Sequence, residues 1–308
     1  EETMKKTMMV LVAGWLFAGS LEAQQPGRRG GPPLTPEQRA EREAAREAAM
    51  NEPRPIAAME SLWLEELTWM EIRDAIRAGN TTALVLTGGV ESNGPHLASG
   101  KHNFSNQLMG ESVAGSLGQT LIAPLVTLEP GNPSGPVRLG NTGPMVSQAT
   151  YIAWLTDIGD SLRGMGFTEV YYLGDSGGNG RGMQAAADAL NETYNGAPTR
   201  FHHVPEFYNH VQVRQYIQET LGIPEEMEYQ ASAGSDGIHE ELSITSIMSV
   251  IDPNSIRFDQ RVEAGRASIN GISLEPLSQT QELGRKLIEF RTGITVDAIQ
   301  AFRAGTNQ

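Results

Sequence analysis

The chain of 308 residues is 39% hydrophobic and 19% charged, with a formal net charge of -14. It is long enough for a substantial core, and its acidity, with no clustered Lys and Arg, excludes nucleic acid as a partner. It contains no cysteine, so disulfides, thiolate nucleophiles and Cys-ligated zinc are excluded, and any metal must be held by His, Asp, Glu or Asn.

Residues 1–23 read as a secretory signal with a short upstream extension. Lys5 and Lys6 precede an apolar run from Met8 to Ala18, and Leu21-Glu22-Ala23 predicts cleavage before Gln24. The run is too short to span about 30 Å of hydrocarbon, so no stable membrane anchor is expected after cleavage. The mature protein is expected to be periplasmic or secreted. Residues 24–60 are a Gly-, Pro- and Arg-rich leader followed by a solvated helix. Thr35-Pro36-Glu37-Gln38 forms a capping box with proline at the first helical position, and the Arg/Glu/Ala run to Met50 has no apolar stripe.

The folded domain is expected over 61–308. Leu64, Leu67, Trp69, Ile72, Ala75 and Ile76 have helical spacing, with Gly79 as the stop. Strands are predicted over 83–87, 120–126, 169–173 and 200–204, and helices over 106–117, 147–165, 182–195 and 211–221, with a Gly/Pro/Asn loop at 131–144. Strand alternating with helix predicts an α/β domain with a mostly parallel sheet covered on both faces. Trp69 and Trp154 sit at apolar spacing and are assigned to the core, and His202, His203 and His210 to the surface or to packing.

Two stretches carry the polar chemistry, LVLTGGVESNGPHLASGKHN from Leu84 to Asn103 and YYLGDSGGN from Tyr171 to Asn179. Each is a buried strand pattern that breaks at glycine and then presents polar side chains, which is how an α/β sheet delivers chemistry to its rim. From about Leu62 to Phe302 the chain resembles the creatininase family (creatinine amidohydrolases). ELTWMEIRDAI is similar to the family's opening helix and GGVESNGPHLASGKHN to its TEQHGPHLPxGTD motif. LGDSGGN stands where the family has NGHGGN, and GIHEELSITSIM where it has HAGExETSxM. The resemblance implies a three-layer α/β/α domain, a homo-oligomer (a hexamer in the family) and hydrolysis of a C–N amide bond, perhaps cyclic, in a small-molecule substrate.

Carried over position by position, Glu91 matches the family's first Glu ligand and His239 its catalytic His. Asn93 replaces a His, His102 the metal-bridging Asp, Ser176 the His of NGHGGN, Gly178 a Glu and Ile244 a Glu. The set that remains predicts one divalent ion (Zn, Mn or Fe) held by Glu91, His102 and Asp175, with a bound water as nucleophile. His239 and Glu240 are then expected to move protons, Ser176 to act on the substrate or oxyanion, and Asn93, Asn103 and Asn179 to bind substrate.

Two alternatives remain open on the residues alone. Gly174-Asp175-Ser176-Gly177-Gly178 fits G-x-S-x-G between a strand and a helix, so Ser176 is a candidate nucleophile with His239 as base and Asp236 or Glu240 behind it. The second is a non-catalytic, ligand-binding member of the family, in which amides and a hydroxyl have taken the place of charged ligands.

Overall fold

The computed structural model describes residues 34–136, 142–224 and 239–305. The signal and cleavage site, most of the leader and Asp236 lie outside the described residues. Contacts divide the chain after Pro53, where the sequence placed the domain start at 61. The described part of the first unit is helix α1 (Pro36–Asn51), which buries none of its residues. Its capping box forms as expected: Gln38 N–H donates to Thr35 Oγ1 at 3.2 Å and Thr35 N–H to Gln38 Oε1 at 3.0 Å.

In the second unit the elements run α2 (Trp69–Arg77), β1 (Thr82–Thr87), α3 (Lys101–Leu117), β2 (Thr120–Ile122), α4 (Gln148–Met165), β3 (Glu169–Gly174), α5 (Gly180–Thr193) and β4 (Arg200–His203). The chain continues through α6 (His210–Gln215), α7 (Leu242–Ile251), α8 (Phe258–Glu263), a small hairpin of β5 (Ser268–Ile269) and β6 (Ile272–Ser273), and the long α9 (Leu277–Arg303). The four main strands form a parallel sheet in the order β2-β1-β3-β4.

The centres of the strands TALVLT and EVYYLG, 83–86 and 170–173, are continuously apolar because both faces of the sheet are covered. Ala83, Val85, Val170 and Tyr172 point to one side, against Leu155 and Leu162 of α4 and Ala186 and Leu190 of α5. Leu84, Leu86, Tyr171 and Leu173 point to the other, against Met109 and Val113 of α3 and Ala298 and Ile299 of α9. Each such fully buried side chain contributes about 1.5–3 kcal/mol of hydrophobic stabilisation. The result is the three-layer α/β/α arrangement expected from the alternation.

Differences from the sequence reading have local causes. β2 stops at Ile122 because Pro124 has no N–H to give to a ladder, and pairing survives beyond it only as an isolated bridge from Val126 to Thr87. α3 starts at Lys101, five residues earlier than expected, because its N-cap is Gly100 and no capping side chain announces it. The 211–221 segment is helical, but after Gln215 it loosens into a π-turn over Tyr216–Thr220. Trp69 and Trp154 are not core residues; they are 49% and 37% exposed, Trp69 carrying the Arg73 guanidinium 5.3 Å from its ring centre. The helices after Leu221 were not foreseen. α7 and α9 lie so close that a Cβ on Gly284 would come within 2.2 Å of Ser246 O.

Candidate active site

β1 and β3 are neighbours at the centre of the sheet and end level, with Thr87 in register with Gly174. The segments leaving them therefore meet at the carboxyl edge, where open α/β sheets form their crevices. No side chain fits at Gly88, where a Cβ would lie 2.0 Å from Asn103 Oδ1. That oxygen accepts from Gly89 N–H at 3.0 Å, while Asn103 Nδ2 donates to Thr127 O at 3.2 Å. Asn179 Nδ2 donates to Thr87 O and Gly88 O at 3.0 and 2.9 Å, and Asn93 Nδ2 to Ala98 O at 3.0 Å. The three amides expected to hold substrate therefore tie backbone segments together, since carbonyls at buried strand ends need donors. None of them lines the cavity.

Glu91, His102 and Asp175 do come together, as a line of ion pairs. His102 Nε2 is 2.8 Å from Glu91 Oε1 and its Nδ1 is 2.9 Å from Asp175 Oδ2. Lys101 Nζ donates to the same Glu91 Oε1 at 3.0 Å and to His239 O at 3.1 Å. On the far side Arg291, from α9, donates through one nitrogen to Asp175 Oδ1 at 2.6 Å and to Phe207 O at 2.7 Å, and Ser105 Oγ donates to Asp175 Oδ2 at 2.5 Å. Two carboxylates are thus enclosed by an ammonium, an imidazole and a guanidinium.

The protonation states follow from this packing. Burial works to raise the Glu91 pKa, but the His102 hydrogen bond and the charge of Lys101 outweigh it and hold the carboxyl at about 2. Burial likewise opposes ionisation of Asp175, and Arg291 and His102 overcome it, leaving the group well below the usual carboxylate range. For His102 burial favours the neutral ring, yet hydrogen bonds to Asp175 and Glu91 raise its pKa, so both ring nitrogens carry protons and donate.

His239 sits in the left-handed backbone region at φ 57°, with Nδ1 3.0 Å from Ser92 O and 3.4 Å from Glu91 Oε1. Glu240, expected beside it as an acid/base, faces away from the cavity. It is 3% exposed and accepts from the His96 and Leu97 N–H groups, while its Oε2 takes Arg261 at 3.0 Å and lies 3.1 Å from His96 Nδ1. Its work is to clamp the 94–97 loop onto α8. Ser176 Oγ donates to Glu129 Oε2 at 2.7 Å, so its hydroxyl proton goes to a carboxylate and not to His239. Burial raises the Glu129 pKa, an effect that the Ser176 hydrogen bond only partly offsets.

A cavity of about 650 Å³ opens over these groups, with Glu91, Lys101, His102, Glu129, Ser176 and His239 in its polar wall and Met145, Val213, Ile244 and Ile247 in its apolar one. Lys101, Glu129 and Arg291 were not foreseen as site residues. Lys101 stood inside the quoted motif, and a lysine next to His102 in the segment that follows β1 was the available signal. Glu129 lies just before the Gly/Pro loop, and Arg291 lies in a stretch with no sequence assignment.

A family model described as Creatininase: Creatinine amidohydrolase matches residues 65–301. The chain belongs to the creatininase family. Its fold agrees with the crystal structure of a creatinine amidohydrolase (creatininase) at TM-score 0.55 and 17% identity, covering 81% of this chain and 100% of that one. A manganese creatininase matches at TM-score 0.53 and 19% identity, and a zinc–zinc form of a mutant creatininase at TM-score 0.53 and 18% identity, each with the same coverage. No curated protein sequence matches.

Those two relatives carry metal ions, and the donor set in this family member does not fit one. Both nitrogens of His102 are spent as donors on carboxylates, leaving no lone pair for a metal. Glu91 Oε1 already receives an ammonium and an imidazolium. A dication about 4 Å from the Lys101 ammonium would be repelled by roughly 8 kcal/mol at an effective dielectric of 20. Among the described residues no group of three or more His, Cys, Asp or Glu is arranged to hold a metal ion. Glu91, His102 and Asp175, the expected ligands, are instead engaged in a line of ion pairs with Lys101 and Arg291.

Proposed function

We propose that this creatininase-family chain is an exported hydrolase that cleaves a C–N amide bond of a small molecule, with Glu129 as its proton-transfer group. One observation carries the reading: a buried carboxyl with a raised pKa, held by Ser176 at 2.7 Å, faces a cavity at the carboxyl ends of the central strands. A carboxyl shifted toward neutrality is what general base catalysis near physiological pH requires. Ser176 occupies Oε2 and fixes the carboxylate plane, which leaves Oε1 to take a proton from water as its oxygen attacks the amide carbonyl. The C–N bond then breaks and Glu129 returns the proton to the departing nitrogen. Lys101 spends two donors on Glu91 and the His239 carbonyl, and its third N–H is available to the carbonyl oxygen, where negative charge develops. Membership of an amidohydrolase family supports the reaction class, and the Met4–Ala23 pattern supports export.

The test is hydrolysis of a panel of small linear and cyclic amides by purified protein, followed by Glu129→Gln. The substitution should lower kcat by about 10²–10⁴-fold with the fold intact. Full activity in that variant, or no turnover of any amide by the wild type, would sink the reading. Activity should also fall on the acid side as Glu129 is protonated, at a pH raised by burial from that of an ordinary Glu. Export predicts a mature N-terminus at Gln24, read by N-terminal sequencing, and assembly as a homo-oligomer is checked by light scattering. A second reading, binding without turnover, is favoured by the saturated state of Glu91 and Asp175, and would show as stoichiometric binding of an amide that is never cleaved.

A further inference from the structure

The ion-pair line of Glu91, His102 and Asp175 stands where the metal-bearing relatives suggest an ion. We infer that Lys101 is a built-in cation that takes the place of a divalent ion beside Glu91, so that the site is assembled, and its ligands are bound, without metal.

Three features support this. The Lys101 ammonium is 4% exposed and lies among groups that suit a cation, with Glu91 Oε1 at 3.0 Å and the His239 carbonyl at 3.1 Å. It therefore bridges the segment after β1 to the segment before α7, a task a metal ion performs by collecting ligands from separate parts of a chain. The backbone enforces the placement. Gly100 is the N-cap of α3 and Lys101 its first residue, so the side chain leaves the helix at its fixed starting point. The charge count leaves no room for an ion. Glu91 and Asp175 bring two negative charges against three positive ones on Lys101, Arg291 and the doubly protonated ring of His102, so a further two positive charges would leave the cluster strongly cationic.

Lys101 also differs from an ion in two functional respects. It cannot be lost to dilution or to a chelator, and it presents an N–H donor to a ligand where a metal would present an open coordination position. The class of ligand that suits it is a carbonyl or other neutral or weakly anionic oxygen acceptor.

The inference is tested on the full-length protein by a route that does not depend on turnover, so it stands apart from the proposed hydrolysis. Wild-type protein expressed with supplemented Zn²⁺ and Mn²⁺ should emerge from dialysis with far less than one ion per chain by elemental analysis, and its thermal midpoint should not move with EDTA, Zn²⁺ or Mn²⁺. Lys101→Met should lower the midpoint and make it respond to Mn²⁺ or Zn²⁺, because Glu91 has then lost its resident cation. If Lys101→Met does not fold, Lys101→Arg, which keeps the charge, should fold and remain metal-free, and the wild-type metal content still decides. An ion retained by the wild type at one per chain and lost in Glu91→Gln would overturn the inference. So would a Lys101→Met protein as stable as the wild type and indifferent to metal.

Discussion

Glu91 and Glu129 line the same cavity, and their surroundings drive them in opposite directions. Both are largely removed from water, which by itself raises a carboxyl pKa. Glu91 meets His102 and Lys101 within hydrogen-bonding distance and ends at about 2, whereas Glu129 has one hydroxyl partner and more distant cations, and stays raised. Burial is common to both, so cation contact decides which carboxyl is locked as a charge and which is left able to exchange a proton. The rear of the cavity is therefore built for permanence and the Glu129 side for change.

The largest way to break this contrast is to strip the locked side of a cation. Arg291→Met leaves Asp175 buried beside His102 and Ser105 with its guanidinium gone, and should cost about 3–5 kcal/mol of stability by chemical denaturation. A loss under ~1 kcal/mol would put the pair in the class of weak surface bridges and refute the account of its burial.

pH sharpens the contrast by sign. The Glu91 pKa is lowered from 4.5 to about 2, so its contribution is present above the ordinary carboxylate range and is lost as pH falls toward 2. The His102 pKa is raised above 6.5, so its contribution is full below 6.5 and is lost as pH climbs through the raised value. Glu129, also raised, has the reverse effect to Glu91: it costs nothing when protonated and destabilises as pH rises through its shifted pKa. Thermal midpoints across pH should show a broad mildly acidic maximum, which in His102→Gln is lower and loses the His102 part of its fall on the alkaline side.

The smallest effect follows from the same sign. Glu129→Gln, predicted to be catalytically poor, should be slightly more stable than the wild type at neutral pH, by about 2–4 °C for each kcal/mol relieved. A lower midpoint would mean that the ionised carboxylate is stabilised in the fold, against the burial argument.

The layers of the fold were legible because the centres of β1 and β3, 83–86 and 170–173, are unbroken apolar runs, and only a sheet covered on both faces makes such runs stable. The meeting of Glu91, His102 and Asp175 was legible because strand ends in register put their following residues side by side. Their mutual neutralisation was not. Asp175 and Arg291 are 116 positions apart, and an arginine on a long amphipathic helix has the same local pattern whether it faces solvent or a buried carboxylate. The asparagines misled for a related reason. An amide beside glycine at a strand end looks like a ligand donor, but the nearest acceptors are the carbonyls that the glycines expose, as Asn179 shows with Thr87 and Gly88.

The contact at Gly284 acts as a depth stop for the site. Arg291 follows it by seven positions on α9, two turns and about 10 Å along the axis, so the distance at which α9 rests on Ser246 also sets how far the guanidinium reaches toward Asp175. A methyl group added at position 284, on a helix whose only claim to the chemistry is one arginine, would push that charge outward and retune the cavity without altering any residue in its wall.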